Sequence, residues 1–458
     1  MSNPVFSPEF FEEVLSSEWT GRERFQGASG FSFDTRTLES GDAFVALQTG
    51  ARDGHDFLEK AAEAGASCAL VSDVRPKLSL PQMQVDDTLA ALQKLSAAWR
   101  KRWGGRVIGV TGSCGKTSTK ELLGLLLGRE DTHVSPGNLN NHIGVPLSLL
   151  LLRDHHKRAV IEAGINQGGE MKMLASLIEP QVGIVTTIGP AHLEKLGSLE
   201  GIASEKVQLP SAASESVFLG PACSEYQAFT HATLARPNWL IPDARPGPFG
   251  FEGKVWRIRV NSEEARLCPD GGQGEPFVFS SKSATPGMIE NMGLAILVAR
   301  NEGVSDELLS QRMASWKPAS QRGEILKFGD REVYADHYNA NPASFADAVS
   351  FFNRRYPSPP RCWVIGAMEE LGAETAVWHR KLAAALPVES GDRVFLIGPS
   401  AAEMVPILKR KISPEDVRLA ETAEEVAEEV AQSQGTVFLK GSRKHALEKI
   451  LDSLGSDG

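Results

Sequence analysis

Short apolar runs and stretches of helical periodicity alternate along most of this chain. The clearest run, Val107–Val110, leads through a glycine-rich turn into a leucine-rich helical pattern at Ser118–Leu127. Further continuous apolar runs, typical of strands covered on both faces, follow at Ala159–Ile161 and Val182–Val185. Because strand and helix patterns alternate, the sequence predicts a parallel sheet with helices packed against it.

A second group of strand patterns, late in the chain, predicts another α/β domain. Its apolar runs are Cys362–Ile365, Val394–Ile397 and Thr436–Leu439. Between the two groups, the stretch Ala235–Pro276 is rich in proline and glycine, which predicts irregular surface loops or short antiparallel strands.

Two breaks in the pattern predict the domain boundaries. A helical pattern at Thr88–Trp103 ends at two consecutive glycines, and a second break is expected around Trp316–Pro318. We therefore predict an α/β protein of three domains, at residues 1–103, 104–317 and 318–458.

Composition and charge narrow the classes of function. The chain has 458 residues, enough for about three domains, and a net charge of −10, which argues against a nucleic-acid partner. The N-terminus lacks a basic segment followed by an apolar run, so no signal peptide is predicted, and Leu147–Leu152 is too short to span a bilayer. Five scattered cysteines without metal-ligand spacing favour reduced thiols in the cytoplasm.

The glycine-rich turn carries the residues of a phosphate-binding loop, Gly112–Thr117. Glycines let backbone N–H groups turn towards a phosphate, and the following helix N-terminus adds a favourable dipole. Lys116 is expected to neutralise the β- and γ-phosphates of a nucleotide, and the Thr117 hydroxyl to bind Mg²⁺. The common spacing has glycine where this chain has Val110, so the loop is a shortened variant. A chance glycine turn before a helix is the alternative.

Polar residues after the neighbouring strands are candidate partners of this loop. Glu162 and His192 each follow a predicted strand, where ligand groups gather in doubly wound sheets. Each is a candidate metal ligand; otherwise Glu162 is a solvated acid and His192 a loop histidine. Asn138 and Asn141 precede an apolar helix, where they could cap it or contact a phosphate or an acyl substrate.

Several motifs resemble the Mur ligase family in the same order, and the resemblance covers nearly the whole chain. They are Gly109–Lys120, Gly137–Asn141 with Ile143–Pro146, Ile188–Glu194 and Lys440–Arg443. The resemblance implies an N-terminal domain that binds a uridine nucleotide, a central P-loop ATPase domain with a parallel sheet, and a C-terminal Rossmann-like domain that closes over it.

Four further segments resemble the family members that add the dipeptide D-alanyl-D-alanine to a UDP-N-acetylmuramoyl-tripeptide. The segments are Asp336–Ser344, Gly366–Gly372 with His379 after it, Asp34–Arg36 and Asp53–His55. They imply a monomeric, ADP-forming peptide ligase that works through an acyl phosphate in cytoplasmic peptidoglycan synthesis, and thereby in cell-wall biogenesis, cell shape and cell division. A Mur-type ligase for a different amino acid, or a non-catalytic ATP-binding relative, are the alternatives.

The resemblance also assigns roles to individual residues. The expected ATP contacts are Thr111, Gly112, Ser113, Cys114, Gly115, Lys116, Thr117 and Ser118, with Asn291 on the adenine, Arg322 on the phosphates and Asp336 on the ribose side. The expected ligands of two Mg²⁺ ions are Thr117, Glu162, His192 and a carbamylated Lys206, and the expected catalytic residues are Lys116, His192 and Lys206. The expected acceptor contacts are Asp34, Thr35, Arg36, Asn138 and Asn141. From the residues alone, Lys206 is a solvated helix lysine, and Asp34 with Arg36 is a local turn pair.

This chain departs from the family pattern near several of these residues. Ala335 stands where an acid is usual, and His337 replaces a small residue. Gly287–Met288 replaces the usual His-Asn pair before Asn291. His142 and Gln208 also stand where acids are common. The ATP and metal residues are intact, which fits an active, divergent ligase.

Overall fold

The structure is a computed structural model that describes residues 5–50, 52–245, 253–271 and 275–455. The strands are β1 (Trp19–Thr20), β2 (Phe31–Ser32), β3 (Ala43–Val45), β4 (Gln48–Thr49), β5 (Arg52–Asp53), β6 (Cys68–Val71), β7 (Gln82–Gln84), β8 (Arg106–Thr111), β9 (Thr132–Val134), β10 (Arg158–Glu162), β11 (Val182–Val185), β12 (Ser216–Leu219), β13 (Pro237–Pro242), β14 (Lys254–Val260), β15 (Glu264–Pro269), β16 (Phe277–Ser280), β17 (Glu324–Phe328), β18 (Arg331–Asp336), β19 (Arg361–Gly366), β20 (Arg393–Ile397), β21 (Val417–Ala420) and β22 (Thr436–Lys440).

The helices are α1 (Pro8–Leu15), α2 (Leu58–Glu63), α3 (Thr88–Trp103), α4 (Lys116–Leu127), α5 (Gly144–Leu150), α6 (Glu170–Ile178), α7 (Leu193–Leu196), α8 (Leu199–Lys206), α9 (Gln208–Ser211), α10 (Gln227–Thr230), α11 (Pro286–Asn301), α12 (Asp306–Met313), α13 (Pro342–Arg355), α14 (Thr375–Ala385), α15 (Val405–Leu408), α16 (Ala427–Gln432) and α17 (Glu448–Gly455). The predicted α/β class is confirmed. In the part of the chain described, no helix is long and apolar enough to cross a bilayer.

Contacts within the chain define two compact units. The first holds Met1–Gly109, Gly128–Ile165 and Glu170–Gln181; the second holds Val110–Leu127, Asn166–Gly169 and Val182–Gly458. The three domain ranges expected from the sequence stay predictions.

The first unit contains a five-stranded sheet in the order β1-β7-β6-β3-β2, parallel apart from β1. Phe44, Leu58 and Val71 pack in its core. The helix predicted at Thr88–Trp103 is confirmed as α3. The Asp87 carboxylate caps its start, and Gly104, with φ +68°, ends it.

The second unit contains two groups of strands. Strands β11 to β14 pair in parallel, and β15 and β16 continue antiparallel, so the short antiparallel strands allowed for Ala235–Pro276 occur in its described part. The late strands form a sheet in the order β17-β18-β22-β19-β20-β21, parallel except for β17. Buried Trp363 and Phe438 pack in its core. The three strands predicted from the late apolar runs are confirmed as β19, β20 and β22.

Candidate nucleotide and metal site

The glycine-rich turn adopts the predicted strand–loop–helix arrangement, since β8 is buried up to Thr111 and α4 starts at Lys116. Gly112 and Gly115 have φ angles of +148° and +83°. A Cβ at Gly112 would lie 1.9 Å from the Thr186 hydroxyl oxygen, and one at Gly115 would lie 2.4 Å from the Asn291 amide nitrogen. Side chains are therefore excluded at both positions by backbone angle and by space.

Side chains of the loop hold it in this shape. The Ser113 hydroxyl donates to the Gly189 carbonyl at 2.9 Å and accepts the Gly189 N–H at 3.0 Å. The Lys116 ammonium donates to the Gly112 carbonyl at 2.8 Å, which brings its charge over the loop. Burial raises the pKa of the Cys114 thiol to about 11, so this thiol is protonated at neutral pH.

Two asparagines from later elements meet the loop. The Asn291 side chain, on α11, contacts Gly115, so it lies against the phosphate loop itself. The Asn341 amide nitrogen is 3.5 Å from the Ser113 carbonyl oxygen, and its side-chain oxygen caps α13 by accepting the Ser344 N–H at 2.9 Å. Sequence reasoning did not select Asn341 as a site residue, because its place before Pro342 is that of an ordinary helix cap.

Lys206 differs from the expectation of a solvated helix lysine. It ends α8, and only 2% of its surface is exposed. No hydrogen bond or ion pair reaches it from the residues that the structure describes. Burial, with the nearby charge of Lys116, lowers the pKa of its amine well below the ordinary value. A lowered pKa increases the fraction of neutral amine, which is a nucleophile, and the sequence context of Lys206 does not indicate this chemistry.

His192 begins the short helix α7 with a left-handed backbone, φ +56°. Its Nδ1 lies 2.5 Å from Oε2 of Glu370, a residue of the segment Gly366–Gly372. This hydrogen bond lowers the pKa of the Glu370 carboxyl. His192 thus lies in a loop, as considered from the sequence, but its side chain is partly buried and paired with an acid. Glu370 was missed as a site residue, because nothing local marks an acid that contacts a distant loop.

Glu162, in the first unit, is also not the solvated acid considered from the sequence. It is the last residue of β10 and is 1% exposed, and its Oε1 accepts the Asn140 amide N–H at 2.7 Å. Asn141 caps α5, with its side-chain oxygen accepting the Gly144 N–H at 2.8 Å. The capping role considered for Asn141 is confirmed, whereas Asn138 is exposed and leaves its side chain available.

The other predicted contacts are distributed over both units. In the second, the Arg322 guanidinium lies 3.9 Å from the centre of the Tyr338 ring, and Asp336 accepts a hydrogen bond from the Lys440 ammonium at 2.6 Å. In the first, Arg36 donates to both carboxylate oxygens of Asp34 and lowers the pKa of that carboxyl to about 2. Thr35 lies between them in a turn, so the expected local pair of Asp34 and Arg36 is confirmed.

The donors present suit Mg²⁺ held together with nucleotide phosphates. Among the described residues, no three His, Cys, Asp or Glu side chains form a cage of their own. Mg²⁺ commonly takes one or two carboxylates, waters and substrate phosphates, so such a cage is not required. The first unit offers the buried carboxylate of Glu162, and the second unit, by itself, offers the Thr117 hydroxyl and an imidazole nitrogen of His192. Carboxylate and hydroxyl oxygens are donor types that this ion prefers.

His337 is an unusual feature close to the nucleotide residues. It is 1% exposed, and neither ring nitrogen has a hydrogen-bond partner among the described residues. Burial lowers the pKa of its imidazole, although the charges of Glu448, Asp336 and Glu324 oppose this shift and that of Arg443 supports it. The folded protein therefore favours the neutral ring.

Replacing His337 by leucine is expected to stabilise the protein. Removal of two unpartnered ring nitrogens should raise the free energy of unfolding by about 1 kcal/mol at about pH 7.5. Because the folded pKa lies below the unfolded value, the stability of the wild type is retained above about pH 6.5 and falls as the pH drops below it. The advantage of the variant should grow towards about pH 5 in urea denaturation. An advantage that shrinks there, or an equal gain from exposed His231→Leu, would contradict this explanation.

Comparison with known sequences identifies the family to which the chain belongs. The sequence model of the Mur ligase middle domain matches residues 110–239, and that of the Mur ligase, glutamate ligase domain matches residues 321–443. The chain belongs to the Mur ligase family.

Two relatives in this family, from different bacteria, carry the same name. The chain is 30% identical over 440 residues to UDP-N-acetylmuramoyl-tripeptide–D-alanyl-D-alanine ligase of Bacillus subtilis (strain 168), with 93% of each chain covered. It is 31% identical over 464 residues to the ligase of the same name from Escherichia coli (strain K12), with 97% of each covered. Crystal structure I of MurF from Acinetobacter baumannii covers 98% of both chains at 26% identity, with a TM-score of 0.80.

Proposed function

We propose that this chain is an ATP-dependent, ADP-forming ligase that joins D-alanyl-D-alanine to a UDP-N-acetylmuramoyl-tripeptide in peptidoglycan precursor synthesis. The observation that carries the proposal is the tight loop Gly112–Lys116, in a chain that resembles ligases of this name over 93% or more of its length. The match to the glutamate ligase domain at residues 321–443 supports a peptide ligase over an unrelated nucleotide hydrolase.

The proposed reaction has two steps. The terminal carboxylate of the tripeptide attacks the γ-phosphorus of ATP, the bond from that phosphorus to the bridging oxygen breaks, and ADP leaves. The dipeptide amine then attacks the carbonyl carbon of the acyl phosphate; phosphate leaves with one oxygen of the former carboxylate, and the amine loses a proton to solvent. Because the first step brings two anions together, catalysis depends on charge neutralisation and in-line positioning.

Residues of the loop supply much of that neutralisation. In the proposal, the backbone N–H groups of residues 112–118 and the Lys116 ammonium hold the phosphates of ATP. Thr117 and Glu162 would hold one Mg²⁺, and His192 with Lys206 a second. Mg²⁺ supplies positive charge to the phosphate oxygens during transfer. Arg322 would contact the phosphates, and Asp336, Asn291 and Ser118 the rest of the nucleotide.

Lys206 is proposed to act as a carbamate. Its neutral nitrogen attacks the carbon of carbon dioxide, a nitrogen–carbon bond forms, and a proton leaves to solvent. The product is an anion with two oxygens, the donor type that suits Mg²⁺. The lowered pKa of the buried amine supports this step, because a protonated ammonium has no lone pair for it.

Further residues are proposed to bind the UDP-linked substrate. Asp34, Thr35 and Arg36 would bind the uridine nucleotide end, with the exposed Arg36 guanidinium as the charged contact. Asn138 and Asn141 would lie by the acyl group. We further propose the domain ranges 1–103, 104–317 and 318–458, a monomer and a cytoplasmic location.

The proposal is tested by following ADP release with the UDP-muramoyl-tripeptide, with and without D-alanyl-D-alanine. Release that depends on both compounds, together with the UDP-muramoyl-pentapeptide as product, is the expected result. Release that ignores the dipeptide would contradict the assigned amine. Activity with a single amino acid in its place would identify a Mur-type ligase of different specificity.

A further inference from the structure

Two adjacent acids of the segment Gly366–Gly372 have different partners. Glu369 contacts Nε2 of His445 at 3.1 Å, within the C-terminal part of the second unit. Glu370 contacts Nδ1 of His192 at 2.5 Å. Glu370 is therefore the acid that connects the region matched by the glutamate ligase domain with the region matched by the middle domain.

Both ends of this contact have unusual backbones. His192 and Glu370 have φ angles of +56° and +63°, in a region that residues other than glycine rarely adopt. Such conformations are energetically unfavourable and persist where the surroundings enforce them. Gly372, with φ +56°, comes so near that a Cβ there would lie 3.1 Å from the Glu194 Cα. The backbones of the two turns thus approach each other closely, so the contact does not depend on flexible side chains alone.

The segment Gly366–Gly372, which contains Glu370, is also held by hydrogen bonds to a buried histidine. His379 is fully buried on α14; its Nε2 accepts the Met368 N–H at 3.0 Å, and its Nδ1 donates to the Thr375 carbonyl at 2.7 Å. These two bonds fix the tautomer of His379 and tie the segment to its own domain. The backbone two residues before Glu370 is therefore anchored by a contact that does not involve His192.

A carboxylate at Nδ1 determines what the other ring nitrogen of His192 can do. Glu370 is an acceptor, so Nδ1 carries the proton in this contact, and Nε2 of the neutral tautomer keeps the lone pair. Carboxylate partners of this kind orient histidines that bind metals and increase their basicity. We propose that Glu370 is a positioning residue, which holds the His192 ring so that Nε2 faces the ligand side. This inference rests on the proposed function, because that function makes His192 a ligand of Mg²⁺.

In this arrangement Gly366–Gly372 lies against His192, so the C-terminal region contributes a positioning residue to the metal side of the ATP site. The alternative is that the contact only stabilises the folded unit. A purely structural contact would affect the free energy of unfolding without affecting either the ring tautomer or the dependence on Mg²⁺.

The first test measures the tautomer of the His192 imidazole. Long-range proton–nitrogen NMR of nitrogen-15 histidine-labelled protein at alkaline pH distinguishes the two neutral tautomers, and the His192→Gln variant assigns the signal. Wild type is expected to carry the proton on Nδ1, and Glu370→Ala to show a mixture with protonated Nε2. Glu369→Ala is the matched control, since it removes the neighbouring acid and leaves His192 paired. A wild-type tautomer that persists in Glu370→Ala would overturn the proposal.

The second test measures metal dependence. Glu370→Ala is expected to raise the Mg²⁺ concentration for half-maximal ADP release by about 10-fold, with the KM for ATP changed by less than about 2-fold. Glu370→Gln should recover most of this loss, because its amide oxygen still accepts a hydrogen bond from the Nδ1–H group of His192. Equal losses in Glu369→Ala would contradict a role specific to Glu370. If the wild type releases no ADP with both substrates, the proposed function fails, and the NMR measurement still decides whether Glu370 sets the ring.

Discussion

Lys206→Ala is expected to lower the rate of dipeptide-dependent ADP release by about 10³-fold. The residue is buried at the end of α8 without a hydrogen-bond partner among the described residues, so the substitution breaks no bond of the folded protein. The loss should therefore appear in kcat, with the free energy of unfolding little changed. It follows from removal of the carbamate that would help to hold the second Mg²⁺.

Three comparisons make this expectation specific. Lys195→Ala, at an exposed lysine of α7, should keep wild-type turnover. Lys206→Glu supplies a carboxylate in place of the carbamate and should recover part of the activity. Carbon-13 NMR in labelled bicarbonate should show a carbamate signal that is missing in Lys206→Ala. Wild-type turnover in Lys206→Ala, with no such signal in the wild type, would refute the role of the residue.

Lys116→Ala is expected to reduce turnover by at least about 10³-fold. Its ammonium already lies at the loop, 2.8 Å from the Gly112 carbonyl, where it would meet phosphate oxygens. Negative charge is brought together as the carboxylate approaches the γ-phosphate. Without Lys116, the loop has no ammonium to neutralise this charge. Stopped-flow release of ADP and calorimetric titration of ATP would separate the loss of rate from the loss of binding.

The shape of the cation also matters at this position. Lys116→Arg keeps the positive charge, yet its planar guanidinium is larger than the compact ammonium that donates to the Gly112 carbonyl, so we expect this variant to recover little activity. Recovery to near the wild-type rate would mean that charge alone is needed. Unchanged turnover in Lys116→Ala would contradict the assignment of the loop to ATP.

Local signals explain why the loop and its flanking elements could be predicted. The strand pattern Val107–Val110 is apolar on both faces, and positive φ angles at Gly112 and Gly115 are a property of glycine itself. Caps are equally local, which is why the capping role of Asn141 was among the alternatives considered. These features depend on residues a few positions apart in the sequence.

Burial and long-range pairing explain what could not be predicted. Lys206 ends a short helix with acids at Glu200 and Glu205, so its sequence context favours solvent; only packing of the folded second unit covers it. The pair of His192 and Glu370 joins segments far apart in the sequence, and neither contains a local signal for the other. Physical patterning alone thus predicted the scaffold, whereas family resemblance was needed to select Lys206.

If the site makes an acyl phosphate from ATP, an oxygen atom of the substrate carboxylate must appear in the released phosphate. Tripeptide substrate labelled with oxygen-18 in its terminal carboxylate is incubated with ATP, Mg²⁺, D-alanyl-D-alanine and the protein, and the released phosphate is analysed by mass spectrometry. An acyl phosphate predicts one labelled oxygen in each phosphate, because the attacking carboxylate oxygen leaves with it. Unlabelled phosphate, formed together with the peptide product, would exclude an acyl-phosphate intermediate.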